Sequence, residues 1–471
     1  MNAIYKRLLS IMFIYFLSLT LISCGSGGGS SAAPSNSKAI TSYSINGESG
    51  VINNQNQNIF VSLPRGTNFE SLVATFKYDG AKVSVNGVTQ VSEQTTNDFS
   101  KPVIYKVTAA NGSTINYTVN VAYKRYFAYI YYPYADSKIY INKFEESTGV
   151  LEGFAELSIN VDNYNTSQLT SSISGNYLFA TNSKTITTYS MDPITGIILR
   201  IAASENIFPG SAGPTVVDPL GKYIYQLSND YLAAYNTLSA FNVGLDGTVT
   251  FNNDRLVGNT EKYDMAITPS GKYAYLTHNN ANTISMYGIN RNTGHLDTLS
   301  ESSFHQGNDA RKIVIDPLGK YVYVSSYQGQ AIYMYQIDQN TGLLSALDTQ
   351  YIKADITPLS IMRIDPSGKY LYTDCNYNKQ GLIPRLCLFK IDQNTGQLEA
   401  QNSFIISATK VTSMEISPSG RYIYVANAPE ESAATVAIIK TYKLDQIPNK
   451  LNYVGINTYP GNGLSPSIII K

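Results

Sequence analysis

A twelve-residue phrase returns along the C-terminal three-quarters of the chain. It reads VVDPLGKYIYQL at Val216–Leu227 and MAITPSGKYAYL at Met265–Leu276, then IVIDPLGKYVYV from Ile313, MRIDPSGKYLYT from Met362 and MEISPSGRYIYV from Met414. Its glycines, at 221, 271, 319, 368 and 420, recur every 48 to 52 residues. A unit of that size cannot bury its apolar face alone, so successive units must stack, either radially or in a line.

Each unit contains four strand-like segments, and the copy around Ile313 serves as the example. Its strands are expected at Arg311–Ile315 (A), Tyr321–Ser325 (B), Ile332–Ile337 (C) and Leu343–Gln350 (D). Asp-Pro-x-Gly places an acceptor side chain, a proline and a glycine where a type I turn wants them, between A and B. Asn340-Thr341-Gly342 and Asn394-Thr395-Gly396 supply the glycine of the C–D hairpin. Strand B alternates Tyr with Val, Ile or Leu, and neither face is charged. Both faces are therefore expected to be covered by neighbouring units, as in radial blades. B strands begin near Tyr126, Tyr177, Tyr223, Tyr273, Tyr321, Tyr370 and Tyr422, which makes seven. The first unit lacks an A strand, and Ser465–Lys471 reads as an A strand without a unit after it. The spacing thus predicts an all-β fold: a seven-bladed β-propeller over 124–471, with the C-terminal strand closing blade one. Closure removes an open sheet edge.

Residues 39–123 carry a different pattern. Alternating runs at 40–45, 59–63, 73–78, 82–85, 103–108 and 115–121 are separated by turn pairs such as Asn46-Gly47 and Asn86-Gly87. These predict a small β-sandwich. The segment resembles an immunoglobulin-like module of bacterial surface lipoproteins, which implies a spacer.

Ahead of it, Lys6 and Arg7 precede the apolar run Leu8–Ile22, which ends in Leu21-Ile22-Ser23-Cys24-Gly25. This resembles the lipobox of bacterial lipoproteins. It implies a signal peptide over 1–23, lipid on Cys24, a Gly/Ser-rich tether over 24–38 and a place in the cell envelope, at the outer membrane by the residue after the cysteine. The membrane would then be one partner, reached through the lipid. The remaining cysteines, Cys375 and Cys387, fall in one repeat, at the end of one strand and the start of the next. In an exported chain they are expected to form a disulfide.

Charged residues make up 14% of the chain and balance to zero, so there is no basic footprint for nucleic acid. No His/Cys/Asp spacing has the form of a zinc site, and no phosphate loop or nucleophile elbow occurs; no metal or cofactor is expected. Asp218, Asp316 and Asp365 recur at fixed spacing, but Thr268 and Ser417 replace them elsewhere, which points to turn capping rather than calcium.

The combination ID-x-NTG-x-L, a loop, and I-x-IDPSGKYLYV resembles the seven-bladed propeller lactonase family. The resemblance implies that histidine and arginine near the starts of inner strands line a central channel. At the matching place this chain has Ala310-Arg311-Lys312, with lysine where the family pattern has histidine, and Gly213 stands where an earlier blade carries a histidine. Arg311, His305 and His278 are therefore the candidate catalytic residues for a ring-opening hydrolase. His295, next to a turn glycine, reads as an exposed hairpin residue. The main expectation is an exported, lipid-anchored propeller that binds an unidentified small molecule or protein partner through loops such as 376–384 and 429–435. A lactonase-type hydrolase and a non-catalytic envelope scaffold are the alternatives.

Overall fold

The computed structural model describes residues 34–471 except 55, 65, 132–137, 159–167, 173–174, 183, 193–194, 206–210, 230–235, 257–261, 279–282, 304–309, 328, 354–360, 377–383, 407–410, 428–435, 445–450, 461–466 and 471. Cys24, His305 and loop 429–435 lie outside the described residues, as does all of loop 376–384 but its ends. The chain divides after Tyr123 into two compact units.

In the N-terminal unit two sheets share one core. The first runs Glu48–Ser49, Ala39–Ile45, Leu72–Asp79, Thr96–Asn97. The second runs Val51–Asn53, Asn58–Leu63, Thr114–Tyr123, Val103–Thr108, Lys82–Val85, Val88–Thr89. Alternation sets the burial: Ile59, Val61 and Leu63 are inside while Asn58, Phe60 and Ser62 are partly exposed. Tyr43, Phe76 and Tyr105 form the aromatic centre, Tyr105 meeting the other two edge-on at 5.3 and 5.6 Å. The Asn-Gly pairs turn as expected, with positive φ at Asn46, Gly47, Asn86 and Gly87. One feature departs from a simple succession of hairpins: Asn58–Leu63 and Thr114–Tyr123 pair in parallel. A parallel pair needs a long crossover, which short alternating runs do not reveal.

The second unit is a propeller-like repeat of seven four-stranded antiparallel sheets. Six are continuous in sequence, and the first is composite. Its strands Tyr126–Tyr131, Lys138–Phe144 and Leu151–Ser158 are completed by Ser467–Ile470, which pairs antiparallel with Tyr126–Tyr131. The A strands approach one another in cyclic order, with Ser467–Ile470 touching the A strands of both the second and the seventh sheets. Each sheet stays open; the ring closes between sheets, and no sheet curls into a barrel. In the fifth sheet the strands are Ala310–Ile315, Tyr321–Ser326, Ala331–Ile337 and Leu344–Lys353.

The repeated phrase has a physical reading at both ends. In the A–B turn the Asp218 carboxylate accepts from Leu220 N at 3.0 Å and Tyr223 N at 2.7 Å, while Gly221 takes φ +68°. Ser417 does the same work with its hydroxyl, accepting from Tyr422 N at 3.1 Å. In strand B the two tyrosines reach into the next sheet. Tyr275 Oη donates to Gly342 O at 2.9 Å, Tyr323 to Gly396 O at 2.9 Å and Tyr424 to Gly149 O at 3.0 Å. The tyrosine two positions earlier lies over the same glycine: a Cβ on Gly342, Gly396 or Gly149 would overlap the ring of Tyr273, Tyr321 or Tyr422. The Tyr424–Gly149 link joins the seventh sheet to the first, so side chains close the ring independently of the composite strand.

Cys375 and Cys387 are joined by a disulfide with Cα atoms 5.8 Å apart. They are not opposite each other in the ladder, because Cys375 faces Arg385 and Cys387 faces Thr373. The bond crosses the hairpin diagonally, linking positions two rungs apart in the ladder.

Candidate functional site

The residues that carry charge near the ring's axis stand on A strands, ahead of the A–B turns. Lys262–Ile267 of the fourth sheet and Ala310–Ile315 of the fifth are neighbours. Both begin irregularly: pairing with the B strand shifts between Lys262 and Asp264, and between Ala310 and Ile313. Such a bulge re-aims side chains at the end of a strand. Asp264 Oδ2 lies 3.5 Å from Lys312 Nζ and accepts from Ile313 N at 3.2 Å. Both side chains are partly exposed. Thr277 Oγ1 bridges the joint, donating to Arg311 O at 3.0 Å, and Lys312 N donates to Ser325 Oγ at 3.0 Å. The Arg311 guanidinium lies over the Tyr327 ring, 3.9 Å from its centroid. A cation on an aromatic face keeps its charge available while its plane is fixed.

His278 follows Thr277, so its side chain takes the opposite face of the strand. Thr277 reaches the fifth sheet. His278 shares its face with Leu276, which packs against Leu227, Leu238 and Ala240 of the third sheet. Its ring is 4% exposed and its Nε2 lies 2.7 Å from Ser285 Oγ. His278 thus faces the third sheet, whereas Arg311 stands on the A strand of the fifth. His305 lies outside the described residues. His295 is exposed in its hairpin, 3.8 Å from Asp297.

A second ion pair joins A strands farther round. Arg363 Nε on Met362–Ile364 is 3.3 Å from Glu415 Oε2 on Val411–Ile416. Between the second and third sheets the clasp is neutral: Gln168 accepts from Thr215 N at 2.9 Å and donates to Thr215 O at 3.2 Å. The sequence displays Asp264 and Lys312 without showing that they pair. The available signal was position, since each stands four residues before its turn residue, Thr268 or Asp316. Among the described residues no group of three or more His, Cys, Asp or Glu is placed to hold a metal ion. No helix among them is long and apolar enough to cross a membrane.

Comparison with known proteins assigns each unit a likeness. Residues 40–121 match the family model described as SGBP, N-terminal. The model described as Lactonase, 7-bladed beta-propeller, matches residues 210–306, 247–357 and 297–402, the stretch that carries Asp264, Arg311 and Lys312. A 6-phosphogluconolactonase from Formosa agariphila is 28% identical over 103 residues, 22% of this chain. The chain spans 29% of the length of that curated relative. Among solved structures, the periplasmic gluconolactonase of Pseudomonas aeruginosa superposes with a TM-score of 0.59 at 16% identity, covering 74% of this chain and 98% of that one. A Lactobacillus plantarum protein gives a TM-score of 0.56 at 16% identity, covering 74% and 99%. At such identities the likeness establishes the fold. The chain combines a small N-terminal module with a large propeller-type unit that resembles the lactonase superfamily.

Proposed function

We propose that this protein is an envelope hydrolase of unphosphorylated lactones, working at the junction of the fourth and fifth sheets. It would be exported, lipidated on Cys24 and held at the outer membrane, with residues 39–123 as an immunoglobulin-like spacer. The observation that carries the reading is the grouping of Asp264, Arg311 and Lys312 on adjacent A strands, inside the stretch that matches the lactonase model. Lactone hydrolysis needs few parts. Water adds to the carbonyl carbon, the ring C–O bond breaks, and a hydroxy acid leaves. Arg311 and Lys312 would hold the carbonyl oxygen as it gains charge, and Asp264 would take the proton from water and return it to the ring oxygen as the C–O bond breaks. The substrate class follows from charge. Lys312 is matched by Asp264, and Arg363 by Glu415, so these cations are not massed against a phosphate. The periplasmic relative in Pseudomonas aeruginosa supports an envelope setting for a gluconolactonase of this fold.

The test is turnover of a panel of aldonolactones and aromatic lactones by the purified protein. Arg311→Ala should lower kcat/KM by about 100-fold, the usual loss on removing one oxyanion donor, while leaving the melting temperature within a degree or two. Absence of turnover above the spontaneous rate rejects hydrolysis. One observation favours a second reading, in which the same junction binds a ligand without converting it: His278 is buried against Ser285, and Gly213 offers no side chain. In that case a lactone or a hydroxy acid binds with Arg311-dependent affinity and is released unchanged.

A further inference from the structure

Neighbouring sheets are joined by a repeated tie, and one joint lacks it. A strand-B tyrosine donates to a glycine carbonyl in the C–D turn of the next sheet: Tyr129 to Gly196 O, Tyr225 to Gly294 O, Tyr275 to Gly342 O and Tyr323 to Gly396 O at 2.9 Å, and Tyr424 to Gly149 O at 3.0 Å. The turn that would accept from Tyr372 of the sixth sheet falls in 445–450, outside the described residues. In the second sheet the position belongs to Phe179, which has no hydroxyl. The joint between the second and third sheets is held at its two ends instead. Tyr177 Oη donates to Leu245 O in the C–D turn at 2.7 Å. At the opposite end Thr215 Oγ1 donates to Thr181 Oγ1 at 3.2 Å and Gln226 Nε2 to Asn182 O at 3.3 Å.

The facing walls of this joint carry oxygens without donors. Thr188 stands opposite Phe179 in the ladder and Ser204 opposite Ile186, while Gln226 and Ser228 alternate along their strand with Ile224. Phe179, Ile186, Ile224 and Phe241 pack together between the two sheets, so the four polar side chains face the same joint. Thr188 Oγ1, Ser204 Oγ, Gln226 Oε1 and Ser228 Oγ are each closed to water and have no hydrogen-bond partner among the described residues. Elsewhere the residue opposite the tyrosine is apolar: Met286, Met334 and Leu388 in the fourth to sixth sheets, where the second has Thr188. Gln226 likewise stands where the fourth and fifth sheets have Leu276 and Val324. The joint between the seventh and first sheets also holds two such atoms, Asn142 Nδ2 and Thr441 Oγ1. It keeps its tyrosine tie, however, and Asn457 and Tyr459 add bonds to Leu151 O and Asn142 Oδ1.

We propose that the ring is built to part between its second and third sheets, ahead of the composite seam where the last strand pairs with the first sheet. A buried oxygen with no donor bears the full cost of leaving water. Parting these two sheets enough to admit water removes that cost at Thr188, Ser204, Gln226 and Ser228 together. At a joint such as that between Tyr275 and Gly342, the same movement breaks a tyrosine bond and uncovers methionine and leucine instead. The closed joint is therefore dry and under-bonded, and water entry relieves it. Each sheet keeps its own ladder during the movement, because strand pairing does not cross the joint. The ring can thus open here without unfolding a sheet.

Thiol labelling of the folded full chain is the test. Ser228 and Ser326 hold the same place on strand B of the third and fifth sheets, and both are 1% exposed. With a small thiol reagent and the modified peptide read by mass spectrometry, the thiol of Ser228→Cys should react about tenfold faster, or more, than that of Ser326→Cys. Two threonines of the joint fix the sign. Thr188→Val removes an oxygen that has no partner and should raise the melting temperature by about 1–2 °C. Combined with Ser228→Cys, it should slow labelling by about fivefold. Thr181→Val removes a bonded hydroxyl and should lower the melting temperature. Equal labelling at the two serine positions overturns the proposal, as does a fall in melting temperature for Thr188→Val. Hydroxyl-radical footprinting of the wild type needs no variant. The buried rings of Phe179 and Phe241 should be oxidised faster than that of Phe389, which packs between the fifth and sixth sheets. Equal or slower oxidation overturns the proposal as well.

Discussion

At the scale of single residues, the recurring aspartate explains why the repeat is so easily read. Asp316 uses both oxygens on its own turn: Oδ1 accepts from Lys320 N and Tyr321 N, each at 2.6 Å, and Oδ2 from Leu318 N at 3.0 Å. The side chain is buried, so removing it strands backbone donors where water is scarce. Asp316→Ala should cost about 1–3 kcal/mol in urea unfolding, and Asp316→Ser should recover part of that, because Ser417 serves the seventh sheet. An unchanged Cm for the alanine variant contradicts the capping account. Such features are legible because donor and acceptor lie within five residues of each other. Asp264 with Lys312 is the opposite case. The partners are 48 residues apart in sequence and meet only because two sheets stack, so the chain displays the charges without the pairing. His278 shows a further limit. Its position at a strand end was readable, but the face it took was fixed by Thr277 reaching for Arg311 O.

At the scale of elements, two glycines of the same backbone geometry should behave differently. Gly221 and Gly342 both have φ near +70°, where any side chain is strained. At Gly221 an added Cβ meets nothing closer than 3.9 Å. At Gly342 it would collide with the Tyr273 ring, whose hydroxyl is tied to Asn340 O at 2.6 Å. Gly221→Ala should therefore cost about 1 kcal/mol from the backbone alone, while Gly342→Ala should cost about 3 kcal/mol or more, since the ring must leave its place between sheets. Equal costs in chemical denaturation would mean that the tyrosine is not seated as described. The strand boundaries of the fifth sheet were legible to within three residues because each strand ends at a turn with its own chemistry. The parallel pair in the N-terminal unit was not, since its two strands alternate like any others and nothing in Asn58–Leu63 names Thr114–Tyr123 as its neighbour.

At the scale of the molecule, the ring is held at its seam by two kinds of contact. One is backbone pairing between Ala128–Tyr131 and Ser467–Ile470; the other is side-chain hydrogen bonding from the seventh sheet to the first, as from the Tyr424 hydroxyl to Gly149 O and the Asn457 amide to Leu151 O. Deleting residues 467–471 should leave the second kind in place and bare the edge of Tyr126–Tyr131, a run of six apolar and aromatic residues. The truncated protein should melt at a lower temperature and self-associate in size-exclusion chromatography; a monomer with the wild-type melting temperature would show that the seam does not depend on the last strand. The count of seven B strands was readable from the repeat, and so was the complement between a first unit short of one strand and a tail with one to spare. The tyrosine contribution was not, because the acceptor glycine belongs to the following repeat. The composite first sheet also fixes an order of events. A ribosome delivers Tyr126–Ser158 hundreds of residues before Ser467–Ile470, so the first sheet must wait with an open flank while the other six are made. Nascent chains stalled anywhere in between carry that flank uncovered, and the interval belongs to whichever chaperone or protease meets it first.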